Sequence, residues 1–324
     1  MSIITTNLSL SSALSQTITE MRERLTVTSQ EAVTGRYSDL TEHLSGSIGT
    51  AMLSQQAVDS IQEDRERLTL RESRLDIVQN SLATIQESAD TLSISMLSAT
   101  STEDSLAQET TAREARAALE QAFSVMNVRH GDRFLFSGDA TSTVPMGSVD
   151  DLLADIGTLA NDATTTEEFE TALESYFNDP DGGWQTNIFN GLATSSDPDG
   201  VTAADPAITQ LISGLAVMAL GDPAEGVAAV ADNTELLDMA ANRSATGVTE
   251  LVGLRASLGL TQSQISRAQD TLDTEETVLT NALNTLTARD QYEAASELEQ
   301  LEASLEASYL LTSRLANLTL LNYL

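Results

Sequence analysis

The chain has 324 residues, of which 41% are hydrophobic and 4% aromatic, and it contains no cysteine. All 16 basic residues are arginine, and 49 acidic residues give a formal net charge of −33. This composition excludes disulfides, cysteine-ligated zinc and any lysine nucleophile. It also disfavours nucleic acids and anionic membranes, because phosphate binding needs clustered basic residues. We therefore expect no nucleic-acid partner and no membrane partner.

The first predicted element is a helix in the N-terminal arm. Apolar residues at Leu14, Ile18, Met21 and Leu25 step 4-3-4, which places their side chains on one helical face. Gly35 follows as the expected end of this helix, since glycine readily adopts the left-handed conformation that closes a helix.

The next predicted helices carry apolar residues at coiled-coil spacing. From Leu75 to Met96 these residues step 3-4 for three heptads, and a second stripe runs from Ala112 to Met126. A polar loop around His43 is expected to precede them. We expect both stripes to pack inside one helical bundle.

The middle of the chain differs from its flanks. All five prolines lie between Pro145 and Pro223, and this stretch also contains the only tryptophan, Trp184. Proline costs about 3 kcal/mol inside a helix, so the proline-free flanks permit very long helices. The middle is therefore predicted to be a small inserted acidic domain, with helices near 148–178 and 205–240 and a short strand near Trp184.

The C-terminal arm carries a longer apolar stripe from Leu251 to Leu286 and then a second one. The second stripe includes Leu298, Leu301 and Leu305 and is out of register with the first. Such a slip is a stutter, which unwinds a supercoil locally and predicts a structural joint.

The expected fold class is mainly α, with a long antiparallel helical bundle or coiled coil formed by the N- and C-terminal arms. Residues 1–34 plus 290–324 are expected to form a terminal coiled-coil assembly layer. Residues 35–140 plus 235–289 are expected to form the helical bundle core, and residues 141–234 the inserted outer domain. Because the terminal stripes are short and poor in charge, we expect them to be buried against another copy or another protein. The predicted interface residues are Leu14, Ile18, Met21, Leu25, Leu298, Leu301, Leu305, Leu315, Leu318 and Leu321.

Catalytic and metal-binding patterns are missing from the sequence. The two histidines, His43 and His130, stand alone, and the acidic pairs in the middle occur in Asp-Pro-Asp-Gly turns. An enzyme would need its reactive groups in residues 141–234, which contain no His, Cys, Lys or Arg. We expect no enzymatic activity, no cofactor and no metal site.

Five short segments resemble flagellins and flagellin-like hook-associated proteins. They are Ile4–Leu8, Glu31–Arg36, Gly131–Gly138, Leu301–Tyr309 and Leu318–Leu324. The last three are similar to the corresponding stretches of hook–filament junction proteins. One departure is that the family's Pro-Ser-Asp-Asp-Pro-like turn, which usually follows the Thr-Gly-Arg element, is replaced here by an unrelated sequence.

The resemblance implies a structural subunit of the bacterial flagellum that joins hook to filament by self-assembly into a ring or helix. It implies export without a cleaved signal peptide, an extracellular location, and an export chaperone at the C-terminal helix. The implied neighbours are a second hook-associated protein and flagellin. A filament-forming flagellin is the alternative, and a cytoplasmic coiled-coil protein is a third hypothesis.

Overall fold

The computed structural model describes residues 2–223 and 226–321, with side chains described from residue 13 to residue 314 apart from that gap. The chain is mainly α-helical, as the sequence predicts, and its only described strands form one two-stranded hairpin. It divides into two compact units. Unit 1 comprises Met1–Arg65 and Asp270–Leu324, and unit 2 comprises Glu66–Gln269.

Unit 1 is built from the two ends of the chain. It contains α1 (Ser2–Thr34), α2 (Leu40–His43), the start of α3 (Ile48–Ala89), the end of α10 (Thr234–Thr287) and α11 (Gln291–Leu321). The long helices fit the absence of proline from both flanks. The predicted joint of the C-terminal arm is confirmed, because α10 and α11 are separated at this position.

The segment around His43 is helical, so the predicted polar loop is wrong. The side chain of Asp39 accepts hydrogen bonds from the backbone amides of Thr41 and Glu42 and thereby caps α2. The His43 ring then stacks on Tyr37, with centroids 3.6 Å apart and an interplanar angle of 15°. The N-cap and this aromatic contact both favour the single helical turn.

Unit 2 contains the remaining elements and the main hydrophobic core. The elements are the rest of α3 and α10 together with α4 (Leu92–Ser101), α5 (Ser105–Met126), β1 (Arg129–His130), β2 (Arg133–Phe134), α6 (Val149–Asp162), α7 (Thr166–Asn178), a π-helical turn (Trp184–Ile188), α8 (Pro206–Ala219) and α9 (Ala228–Ala231). The strands β1 and β2 pair antiparallel, with Arg129 opposite Phe134.

The predicted stripe from Leu75 to Met96 is buried along its whole length. It does not lie on one continuous helix, however, because α3 ends at Ala89 and α4 begins at Leu92. The intervening Asp90 and Thr91 both have low helix propensity. The apolar spacing therefore predicts the buried face correctly and misses the break in the backbone.

Residues 141–234 share one core with the helices that flank them in unit 2. Trp184 is fully buried, and its ring lies 6.2 Å from that of Phe123 and 5.2 Å from that of Phe177. The sequence predicts three parts and the structure has two units, because these contacts join the middle of the chain to α5. The three-part division stays a prediction.

The strand predicted near Trp184 is wrong, because this residue begins a π-helical turn. The amide of Phe189 donates to the carbonyl of Trp184 at 2.8 Å, the five-residue spacing of a π-helix. Gly183 precedes the turn, and an added Cβ there would overlap the ring of Tyr176. Close packing against α7 thus favours a tight turn over an extended strand.

The Gly131–Gly138 segment anchors the loop that follows the π-helical turn. Phe136 and Ser137 are fully buried, and the carbonyl of Ser137 accepts from the amide of Leu192 at 3.0 Å. Gly138 has a φ of 62°, and an added Cβ would overlap the carbonyl oxygen of Leu192. Glycine is needed here for both its conformation and its size.

Among the described residues, no helix is both long enough and apolar enough to cross a membrane.

Candidate assembly interface

The two ends of the chain pair in unit 1, where α1 packs against α11. Arg24 forms an ion pair with Glu297 at 2.8 Å, and farther along the pair the guanidinium of Arg22 lies 5.4 Å from the ring centre of Tyr309. Residue numbers fall along α1 as they rise along α11, so the two helices are antiparallel. The arms thus pair as the fold prediction requires.

The predicted interface residues of α1 share one face of the helix. Leu14, Ile18, Met21 and Leu25 are all half-buried. The sulfur of Met21 accepts from the hydroxyl of Ser308 at 3.8 Å, which places this face against α11.

On α11, Leu301 is buried and Leu298 and Leu305 are half-buried. The side chains of Leu315, Leu318 and Leu321 lie outside the described part of the chain. Met21 therefore lies against α11, and the assembly role of the whole set stays a prediction. Most of its described members keep part of their surface open in the single chain.

Unit 1 exposes more large apolar side chains than it buries. Among the described residues of unit 1, the buried large apolar side chains are Leu44, Val58, Ile61 and Leu301. The exposed ones are Val27, Val33, Leu40, Ile48, Met52, Leu53, Val278, Tyr292, Tyr309, Leu310 and Leu311. Unit 2 has the opposite balance, because its core is extensive and only seven large apolar residues of its described part are exposed. Unit 1 therefore exposes the kind of apolar surface that marks an interface with another copy or another protein.

Both arms turn at one point in unit 1, which we call the joint (residues 31–38 and 287–291). Gly35 has a φ of 66° and ends α1, with its amide donating to the carbonyl of Glu31 at 2.8 Å. The carbonyl of Gly35 accepts from the amide of Arg289 at 2.9 Å, and the amide of Tyr37 donates to Thr287 at 3.2 Å. Backbone hydrogen bonds thus tie the end of α1 to the start of α11.

A charged network crosses the joint. Arg289 pairs with both Glu31 and Glu297, and its side chain is only 11% exposed. Glu31 is also buried, and its carboxylate accepts from the amide of Ser38 at 2.7 Å. The guanidinium of Arg289 lies 5.4 Å from the ring centre of Tyr37, within cation–π range.

The electrostatics of the network favour the ionised form of Glu297. Burial alone would raise the pKa of this carboxyl, but hydrogen bonds and charge from Arg24 and Arg289 outweigh it, so the pKa lies below its ordinary value. The sequence analysis missed this network, because the two arms that supply it are far apart in sequence. The one available signal was that both predicted joints contain a charged residue, Glu31 in one and Arg289 in the other.

The described residues were expected to hold no metal site, and their acidic and histidine side chains are dispersed. Within the described residues, 2–223 and 226–321, no group of three or more His, Asp or Glu side chains is placed to hold a metal ion. The ring of His130 lies within 3.3 Å of the Ser73 hydroxyl in unit 2.

In unit 2, a depression lies between α3 and the 195–201 loop, and the arginine and aspartate side chains that line it form ion pairs with each other. Arg71 binds Asp199 through two hydrogen bonds, and Arg74 pairs with Asp197 at 3.5 Å. The hydrogen bond to Asp199 raises the pKa of Arg71, which keeps its charge. These pairs hold the loop to α3.

Comparison with known proteins finds a family match in the C-terminal part of the chain. Residues 244–324 match the family model for the bacterial flagellin C-terminal helical region. This match confirms the flagellin resemblance for most of α10 and for α11. A solved crystal structure of FlgL from Bacillus cereus has 13% identity and a TM-score of 0.43, covering 74% of this chain and 97% of that chain. No curated protein matches the sequence. At that identity and TM-score, the similarity to the FlgL structure says nothing about a shared site.

Proposed function

We propose that this chain is a structural subunit of the bacterial flagellum that self-assembles through the α1–α11 pair and joins hook to filament. The observation that carries the proposal is the excess of exposed over buried large apolar side chains in unit 1. Burying apolar surface contributes about 25 cal/mol per Å². A pair of helices with so small a core therefore gains most of its stability from neighbouring copies.

The arrangement of the pair suits repetition. The two helices are different in sequence, so the pair presents two unlike faces, and contacts between unlike faces generate rings or helices. The match of residues 244–324 to the flagellin C-terminal region supports the flagellar setting. The junction role, rather than the filament role, is supported by the Gly131–Gly138 segment and the Leu318–Leu324 terminus.

The remaining parts of the proposal follow from the flagellar role. The neighbours are a second hook-associated protein and flagellin, and an export chaperone binds at α11 before assembly. The chain is exported without a cleaved signal peptide and is located outside the cell. It has no enzymatic activity and no cofactor. A filament-forming flagellin is the second candidate, because it would share the same C-terminal region and differ in position and copy number.

Immuno-electron microscopy on intact flagella of the source bacterium tests the position, using antibody raised against residues 141–234. A narrow labelled band where the hook meets the filament is the expected result. Label along the whole filament would establish the flagellin alternative. Absence of label from every flagellum would refute the flagellar role and favour a cytoplasmic coiled-coil protein.

Two variants test whether assembly depends on unit 1 while unit 2 folds independently of it. Leu305→Asp places a charge in the α1–α11 seam and is expected to abolish incorporation into flagella while unit 2 stays folded. Leu82→Asp places the same charge in the fully buried core of unit 2 and is expected to unfold that unit. Circular dichroism and flagellar labelling of both variants separate these outcomes. If both variants unfold the chain equally, the assignment of assembly to unit 1 is wrong.

A further inference from the structure

The tetrapeptide Asp-Pro-Asp-Gly occurs twice in unit 2, at residues 179–182 and at residues 197–200. Both copies close with the same backbone hydrogen bond. In each, the amide of the glycine donates to the carbonyl of the first aspartate, at 2.9 Å in both turns. The two turns therefore offer the same pair of carboxylates on similarly closed backbones.

The turn at 197–200 shows what this pair of carboxylates can bind. Arg71 of α3 donates two hydrogen bonds to Asp199, and Arg74 of the same helix pairs with Asp197 at 3.5 Å. Each carboxylate thus holds one guanidinium, whose planar fork of N–H groups matches the two oxygens of a carboxylate. The two arginines are three residues apart, a spacing that places them on one face of a helix.

The turn at 179–182 has the same carboxylates without the arginines. Asp179 and Asp181 are exposed, and among the described residues neither carboxylate has a hydrogen-bond or ion-pair partner. The sequence contains no arginine between Arg133 and Arg243, and Arg243 pairs with Glu170 at 3.8 Å. Both carboxylates are therefore open to a cation from outside the chain.

The position of this turn at a helix end adds to its negative charge. The helix α7 ends at Asn178 with no basic residue in its last turn, and Asp179 is its C-cap. The C-terminal end of a helix carries a partial negative charge, which a cation stabilises and a carboxylate opposes. Two carboxylates at this end repel the helix dipole, and a bound cation would relieve that repulsion.

An open groove of about 400 Å³ adjoins the turn, which forms part of its wall. Leu159 of α6, Ala172 of α7 and Pro180 of the turn provide apolar lining. A volume of this size is within the range of about 300–1,000 Å³ that ligand sites occupy. Apolar walls next to carboxylates suit an arginine side chain, because its methylene stem packs on apolar surface while its guanidinium binds the acids.

We propose that the 179–182 turn and its groove bind two arginine side chains, three residues apart, on a helical segment of another protein. The arginines would occupy the positions at this turn that Arg71 and Arg74 occupy at the other. A net charge of −33 steers a basic segment toward the chain, whereas a second copy brings the same negative charge. The inference concerns unit 2 and does not depend on the proposed assembly through unit 1.

The first experiment measures binding of a defined peptide to the full chain by fluorescence anisotropy. The probe is a labelled, alanine-rich helical peptide with two arginines three residues apart. The matched peptide carries citrulline at both positions, which keeps the shape of arginine and removes its charge. The arginine peptide is expected to bind at least about tenfold more tightly, since charge-assisted hydrogen bonds are lost with citrulline. Equal affinities would overturn the proposal.

The second experiment locates the binding site with two double variants of equal charge. Asp179→Asn with Asp181→Asn removes the carboxylates of the turn and is expected to weaken binding of the arginine peptide about tenfold or more. Glu87→Gln with Glu114→Gln is the matched control, because it removes two exposed carboxylates from α3 and α5. The control should bind the peptide as the unmodified chain does. Equal weakening in both variants would show general attraction to an acidic chain and would overturn the proposal.

Sedimentation velocity over a range of protein concentrations tests whether a second copy supplies the arginines. The unmodified chain and the Asp179→Asn, Asp181→Asn variant are expected to self-associate equally. Weaker self-association of the variant would assign the groove to an arginine pair of a second copy and would overturn the choice of another protein as the partner.

Discussion

Replacing Arg289 with alanine tests whether the charged network holds the joint together. The guanidinium is 11% exposed and pairs with Glu31, whose side chain is 5% exposed, as well as with Glu297. Its removal leaves the buried Glu31 carboxylate without a cation. Breaking a buried ion pair in this way costs about 3–5 kcal/mol.

Arg24→Ala is the matched control, because Arg24 also binds Glu297 but is 66% exposed. An ion pair of that exposure contributes only about 0–1 kcal/mol, so its loss should change little. A double variant, Glu31→Gln with Arg289→Ala, removes the stranded charge. It should therefore be more stable than Arg289→Ala alone.

Hydrogen exchange measured by mass spectrometry reports each unit separately. In assembled Arg289→Ala, where neighbouring copies stabilise unit 1, peptides from residues 13–34 and 291–314 should exchange about 10²- to 10⁴-fold faster, since each 1.4 kcal/mol changes an equilibrium tenfold. Peptides from unit 2 should be unchanged, because its core shares no residue with the network. If Arg289→Ala and Arg24→Ala exchange at similar rates, the network does not stabilise the joint.

Two further predictions concern the pH dependence of unit 1 and the substitution of Gly138 in unit 2. The pKa of Glu297 is depressed in the folded chain, so its stabilising contribution is present above the ordinary pKa of about 4.3 and is lost as pH falls through the folded value. The protection of unit 1, taken relative to the intrinsic exchange rate at each pH, should therefore fall below about pH 4, and Glu297→Gln should remove this pH-dependent part. Gly138→Ala should lower the urea stability of unit 2 by more than about 1–2 kcal/mol, because it combines a left-handed φ with a steric overlap. Gly131→Ala is the control, since its φ is 60° but no atom lies within 4 Å of the added Cβ. Equal effects of the two glycine changes would show that the close packing at Gly138 is unimportant.

The sequence was sufficient wherever a single helix decides the structure. The stripe from Leu75 to Met96 predicts a buried face, because its spacing depends only on helix geometry. Gly35 predicts the end of α1 for an equally local reason, since its conformation closes a helix. Both features can be predicted without knowing which elements pack against the helix.

The sequence was insufficient wherever distant residues decide the structure. The turn at Trp184 depends on close packing against Tyr176 and on rings contributed by α5 and α7, and none of these is visible in the local sequence. The pairing of Glu31 with Arg289 likewise joins opposite ends of the chain. Charged residues carry no periodic signal, so such a pair is found only after the arms have been brought together.

The composition of unit 1 from both ends of the chain has a consequence for the order of folding. Arg24 and Glu297, which pair in this unit, are 273 positions apart. Contacts of such large sequence separation form slowly, because loop closure must occur before they can contribute. Unit 2 is one continuous segment and can fold first, which shortens the loop that unit 1 must close. A substitution that destabilises the core of unit 2 should therefore slow the pairing of α1 with α11, even when neither helix has been changed.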